Sequence, residues 1–504
     1  MKRLSLLAVL IGNLSFGQQI DTLKTTVLSP KQLKEDFQLY RKMLEETHPG
    51  LYRYTSKEHM QSTLDSVAST LVKPKSFYQF YKDILHIGAQ IRCTHSYAFP
   101  SKKVSQYSMN QISTVPFYTY GMNEKVYVLF NGSMNEGIKP GFEILSINGN
   151  SIESIKEQFY TYAWSDASIE SSKIRFFAGS LFWMFYHALV DKSERFDITF
   201  KDLDGKLQMF HVKALTPRTS MANYKKNPVN KSILKKYKQG KRKMFKLGFP
   251  KDADKTATIS ISVFGGDSEE DAQQKTRKFM DMAIKKMEKV GVESLIIDLR
   301  SNQGGWDIVG SELLSYLVKS DEPFEYWRKG IAIIKDTTFL KYTEYSYQDW
   351  LIAKKELKEQ PDGTFLVVNP DGPNPVLTQP KPNRFKGDLY FLIQETTGSA
   401  ASEFAGAAKS RNLGTFVGSE TNAAYDGGNS STFIKMTLPN SGIYVNSPLV
   451  AGYLNVKPQK IPNRGVLPHH EVNFIRDDLL IRYDRQLEFV KGLIRKNDKK
   501  TESP

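Results

Sequence analysis

Ser399 is the residue whose surroundings best suit chemistry. Residues 388–410 read DLYFLIQETTGSAASEFAGAAKS. Leu389 to Ile393 is a short apolar run of strand type, Glu395 to Gly398 is a turn, and the stretch from Ala400 is rich in helix formers, with Phe404 and Ala408 spaced for one buried face. The spacing therefore predicts Ser399 at a strand-to-helix junction. Its hydroxyl is presented there beside unpaired backbone N–H groups and the positive end of a helix dipole. A nucleophilic serine needs that setting, because the oxyanion formed in acyl transfer must find fixed donors. A plain helix cap is the alternative role. A capping box would want Glu or Gln three residues on, and that position is Ser402. Ser402 is also the competing nucleophile, one helical turn further along.

A second segment could supply the donors. Residues 294–307 read SLIIDLRSNQGGWD, an apolar strand running into Gly304-Gly305 and then an amphipathic run, Ile308 to Leu317. Two glycines let backbone N–H groups turn inward with no Cβ in the way. The spacing of three glycines that marks a dinucleotide-binding turn is missing.

Taken together, the segments resemble a family. Asp298 to Gly305 is similar to the oxyanion strand of the C-terminal processing peptidases and the related tricorn protease core. The turn Thr397-Gly398-Ser399-Ala400 resembles their nucleophile turn, and Leu413 to Gly418 the strand after the nucleophile helix. Asp36-Phe37, Leu44, His48 to Tyr52 and Ile91 to His95 resemble the helical leader of bacteroidete-type members. The resemblance implies an α/β catalytic core with a crotonase-like βα arrangement, an N-terminal helical domain and a small PDZ-like β-rich domain. It further implies a serine peptidase acting on polypeptides, with Ser399 as nucleophile and the amides of Gly304 or Gly305 and of Ala400 as oxyanion donors. No cofactor is expected.

The base departs from the better-known branch, which places a lysine after the nucleophile helix. None of residues 420–428 is basic, so a Ser–Lys dyad of that form is excluded. His95, in Cys93-Thr94-His95-Ser96, matches the histidine motif of the tricorn-like branch, and imidazole is the natural proton acceptor near neutral pH. The orienting acid expected from the C-terminal segment is Glu471, with Glu420 as runner-up; His469 stands where the family carries an aspartate. His469, His470 and Glu471 are adjacent and point in different directions, so no metal site is expected. Cys93 lacks a thiolate-stabilising environment apart from His95.

The remaining elements must position these groups. With 504 residues, 40% hydrophobic and 12% aromatic, the chain can bury several cores. Residues 1–17 read as a secretory signal, with Lys2 and Arg3 ahead of an apolar run and cleavage after Gly17. An exported protein, periplasmic or extracellular, follows. The single cysteine, Cys93, leaves no lipid-carrying cysteine after the leader, and no apolar run is long enough to span a bilayer. A helical domain is expected over 25–100, contributing His95. A PDZ-like domain is expected over 110–215, where residues 136–149 (EGIKPGFEILSING) read as a turn, a strand and an Asn-Gly hairpin. The net charge of +16 comes largely from ten Lys or Arg with no acid between Tyr224 and Lys246, read as part of a basic linker over 216–250 rather than a nucleic-acid surface. The α/β peptidase core then spans 251–490, and a polar tail 491–504. Two other readings share these residues: a serine esterase, or an inactive peptide-binding relative.

Overall fold

The computed structural model describes residues 27–237, 243–253, 255–334, 336–370, 372 and 374–501. The leader read at 1–17 lies outside them. The chain opens with helices α1 (Pro30–Thr47), α2 (Lys57–Ser69) and α3 (Phe77–Ile91). α1 and α3 begin with capping boxes, Ser29 with Gln32 and Ser76 with Gln79, and their buried residues recur every three to four positions.

An antiparallel sheet follows, in the order β1 (Phe117–Met122), β2 (Lys125–Asn131), β3 (Glu143–Ile147), β4 (Arg195–Lys201) and β5 (Leu207–Lys213). Asn148 (φ 48°) and Gly149 (φ 78°) take the two left-handed positions of the expected hairpin, joining β3 to Asn150–Ser151. Helices α4 (Ile152–Tyr162) and α5 (Gly179–Leu189) lie within the same segment. One apolar core runs from α1–α3 through this sheet, so Phe80, Ile144, Phe182 and Phe200 belong to one cluster.

The basic stretch is not a flexible linker over its described residues. Thr216 caps α6 (Pro217–Lys226), Tyr224 is buried, and Asn230 exchanges hydrogen bonds with the Asn131 backbone at 2.9 and 2.8 Å. Its anchors are single apolar and amide side chains that reach distant strands, which leaves no periodicity to read. Residues 238–242 lie outside the described residues.

A second sheet runs β6 (Phe245–Gly248), β7 (Thr256–Ile261), β8 (Ser294–Asp298), β10 (Asp388–Ile393), β11 (Thr415–Gly418) and β14 (His470–Glu471). Every pairing except β6–β7 is parallel. Strand alternation splits its residues between two cores. Leu295, Ile297, Phe391 and Ile393 pack with helices α7 (Glu269–Lys289), α8 (Asp307–Ser315) and α9 (Ala400–Ser410). Ile296, Tyr390, Leu392 and Val417 pack against Val490 and Ile494 of α10 (Arg485–Thr501). Residues 491–501 of the polar tail therefore continue this helix. A third sheet contains β9 (Trp327–Ala332), β12 (Asn429–Thr437) and β13 (Ile443–Leu454), and Ala98–Pro100 adds to it by pairing with β13. That pairing brings the loop after α3 to the core. Among the described residues no helix is long and apolar enough to cross a membrane.

Candidate active site

Ser399 sits at the junction of β10 and α9, half-buried, with φ 47° and ψ −134° and no capping hydrogen bond. A non-glycine residue held there costs on the order of 1–3 kcal/mol, so surrounding contacts must enforce it. They do. Thr397 Oγ1 donates to the Leu299 carbonyl (3.1 Å), Gly398 N to the Asn302 carbonyl (3.0 Å), and Thr396 Oγ1 to the Arg300 carbonyl. Ser402 is fully buried, and its hydroxyl donates to the Thr397 carbonyl at 2.7 Å. The rival serine thus braces the turn on which Ser399 stands.

Gly304 (φ +102°) lies against this turn, where a Cβ built on it would meet Ser399 Cβ at 2.7 Å and Ala400 N at 3.0 Å; the next residue, Gly305 (φ +136°), packs on the Phe264 backbone. Gly304 N donates to Asn302 Oδ1 (2.8 Å), and its carbonyl accepts from Phe264 N (2.9 Å). Its amide is therefore spent on an Asx-type turn. Gly305 is exposed, and neither its N–H nor that of Ala400 has an acceptor among the described residues. Of the three expected donors, Gly305 and Ala400 keep an unspent N–H.

His95 arrives from the other side. α3 ends on Arg92 in the left-handed region (φ 58°), and the following loop is pinned by Asn446 Nδ2, which donates to the His95 carbonyl at 2.6 Å. The ring packs on Phe433, 5.3 Å between centroids, and its Nδ1 is buried with no partner. Burial pushes the His95 pKa below the usual imidazole value; the Asp166 charge and the Asn429 carbonyl work against that shift, and Arg175 with it. His95 and Ser399 are not hydrogen-bonded to each other. Arg175, whose charge acts on His95, donates from Nη1 to Asn422 Oδ1 (2.6 Å), and Asn422 N donates to the Thr397 carbonyl beneath the Ser399 turn (2.8 Å). Catalytic hydrogen bonds often tighten only with substrate in place.

Glu471 is a correction. It lies on edge strand β14, exposed, with Oε1 accepting from Asn473 Nδ2 at 2.9 Å, and it is not brought to His95. It pairs with Gly418 at the edge of the sheet. Glu420 is buried, but its oxygens accept from the Arg464 guanidinium (2.7 and 2.6 Å), Gly465 N (2.9 Å) and Ser171 Oγ (2.9 Å), which occupies it structurally. The carboxylate that does face the His95 loop is Asp166, from the irregular segment after α4. Its Oδ1 accepts from Thr94 N (2.6 Å) and Thr94 Oγ1 (3.0 Å). Sequence reasoning missed Asp166, Asn302 and Arg175. Asn302, two residues before Gly304, carried a turn signal that could have exposed it.

Burial pushes the Cys93 thiol up to about 12, which leaves it inert. His469 Nδ1 accepts from Phe416 N (3.0 Å), and among the described residues no His, Cys, Asp and Glu group is placed to hold a metal.

The model of Peptidase family S41 matches residues 255–472, the span that holds the Gly304 turn, Ser399 and β14. Residues 255–472 form an S41 peptidase domain. The chain is accordingly a serine-type peptidase, a hydrolase of polypeptides. A crystal structure of a CPAF mutant superposes with a TM-score of 0.60 at 15% identity, covering 93% of this chain and 97% of that one. Mature CPAF complexed with lactacystin gives 0.59 at 15%, with 92% and 98% covered. At that identity the likeness establishes a shared fold over nearly the whole chain, N-terminal helices included. No curated protein matches the sequence.

Proposed function

We propose that this S41 peptidase cleaves polypeptide chains through an acyl-enzyme on Ser399, with His95 as general base. The observation that carries the reading is the strained Ser399 backbone, followed by the unspent Ala400 amide and packed against Gly304 of the Gly304–Gly305 turn. Neutral His95 takes the Ser399 hydroxyl proton as Oγ attacks the scissile carbonyl carbon, and the developing oxyanion accepts from the two N–H groups. Collapse of the tetrahedral intermediate breaks the C–N bond, and His95 returns the proton to the leaving amine. Water, deprotonated by His95, then attacks the acyl carbon and frees Ser399 and a carboxylate product.

Residues 1–17, read as a secretory leader, support an activity outside the cytoplasm, and the antiparallel domain of β1–β5 is read as a PDZ-like module that captures extended chains by strand addition. The test is hydrolysis of an unfolded protein set beside a panel of small esters, with His95→Ala as control. Cleavage of the protein that His95→Ala loses supports the reading. Turnover of esters alone favours the esterase, and turnover of neither the inactive scaffold.

A further inference from the structure

Asp166 occupies a position no sequence motif marks, in the irregular segment between α4 and the 3-10 turn Ser171–Phe177. That segment and the His95 loop clasp each other from both sides. Ala167 N donates to the Arg92 carbonyl (3.0 Å), Arg92 Nε to the Ala167 carbonyl (2.7 Å), and Arg92 Nη2 to Ser168 Oγ (2.6 Å). Thr94, the neighbour of His95, completes the clasp with its two hydrogen bonds to Asp166 Oδ1. The carboxylate is 2% exposed, and its second oxygen, Oδ2, is buried without a partner. His95 Nδ1 is likewise buried without a partner. A buried carboxylate with an unspent oxygen is costly, and such groups persist where a function uses them.

We propose that Asp166 is the positioning residue of this site: it fixes the His95 loop through Thr94 and supplies the negative charge against which the His95 imidazolium forms. This rests on the Ser399–His95 reading above. The charges that act on His95 are those of Asp166 and Arg175, and His95 in turn acts on His48. His48 Nδ1 accepts from Gly50 N (3.2 Å), so its Nε2 carries the proton towards Ser96 Oγ (2.7 Å), and burial keeps it neutral. Arg175 opposes protonation of His95, so a base at this position needs a compensating anion; Glu471 is exposed on edge strand β14, and Glu420 is engaged by Arg464, Gly465 and Ser171. A loop staple alone would need only the acceptor at Oδ1, which an amide oxygen supplies equally well.

Asp166→Asn separates the two roles, because it retains an Oδ1 acceptor for Thr94 and removes the charge. In the full-length enzyme we expect a kcat lower by about 10²–10⁴-fold with KM within a few-fold. The acidic limb of kcat/KM should also move to lower pH, since His95 loses its counter-charge. Asp166→Glu, which keeps the charge, should leave that limb in place and retain at least about a tenth of kcat. Wild-type kcat and an unmoved limb in Asp166→Asn would overturn the proposal. Should Asp166→Asn fail to fold, Asp166→Glu decides: a folded variant with a displaced limb contradicts the assignment. Full activity of His95→Ala sinks the underlying mechanism instead, whereas a dead His95→Ala beside a normal Asp166→Asn removes Asp166 alone.

Discussion

Gly304 and Ser399 are packed so closely that a single added carbon on Gly304 would sit 2.7 Å from the Ser399 Cβ. Real carbon atoms do not approach to that distance, and φ +102° at Gly304 is strained for any side chain. Gly304→Ala must therefore push the Gly304–Gly305 turn away from the nucleophile. We expect kcat/KM to fall at least about 100-fold, comparable to losing an oxyanion donor, with a smaller loss in melting temperature than in activity. Near wild-type turnover would mean that the turn does not take part in the reaction.

The two serines of this junction should behave oppositely. Ser399 makes no side-chain cap, so Ser399→Ala should leave the melting temperature unchanged while activity drops by on the order of a million-fold. Ser402 is fully buried and bonded to the Thr397 carbonyl, so Ser402→Ala should cost about 1 kcal/mol of stability and keep measurable turnover. Thermal melts beside single-turnover rates read both effects.

Much of this arrangement was legible in the sequence because it is local. The strand, turn and helix around Ser399 announce themselves by composition, and Gly304-Gly305 marks a backbone that must come close to something. His95 entered through a motif. Asp166 could not be read: it sits in no periodic element, and its tie to Thr94 bridges two loops that are brought together only when the Arg92 clasp forms. Glu471 misled because sequence position does not say which way an edge-strand side chain points. The basic stretch misled because its order comes from distant partners, as when Asn230 meets Asn131.

The pH dependence of rate follows from the His95 surroundings. Burial lowers its pKa, and the neutral ring is the base, so kcat/KM should rise through a pH below the ordinary histidine value of about 6.5 and then stay flat. A rise on the alkaline side would point to a lysine base.

Stability should also fall in acid. Burial holds His48 at about 3, while the unfolded imidazole titrates at about 6.5, so between these values the unfolded chain binds the extra proton. Each pH unit below about 6.5 should then remove ~1.4 kcal/mol through this one group. Denaturant melts of His48→Gln beside the parent check this; equal slopes in the two would contradict it.

The buried carboxyls work in the other direction. Burial and the Asp307 charge push Glu403, 2% exposed with Oε2 unpartnered, well above the carboxylate range, and burial with the Glu269 charge brings Asp307 to about 7. Above the unfolded carboxylate pKa the unfolded chain ionises first, so these groups lose stability as pH rises. Glu403→Gln should be less sensitive than the parent between pH 5 and 8, by on the order of 1 kcal/mol or more.

Covalent labelling tests the central claim most directly. The purified full-length protein is treated with a fluorophosphonate, digested, and the modified residue located by mass spectrometry. We expect one adduct, on Ser399, absent from Ser399→Ala and strongly slowed in His95→Ala. An adduct on Ser402 or another serine, or unlabelled protein that still cleaves polypeptides, would contradict the assignment of the nucleophile.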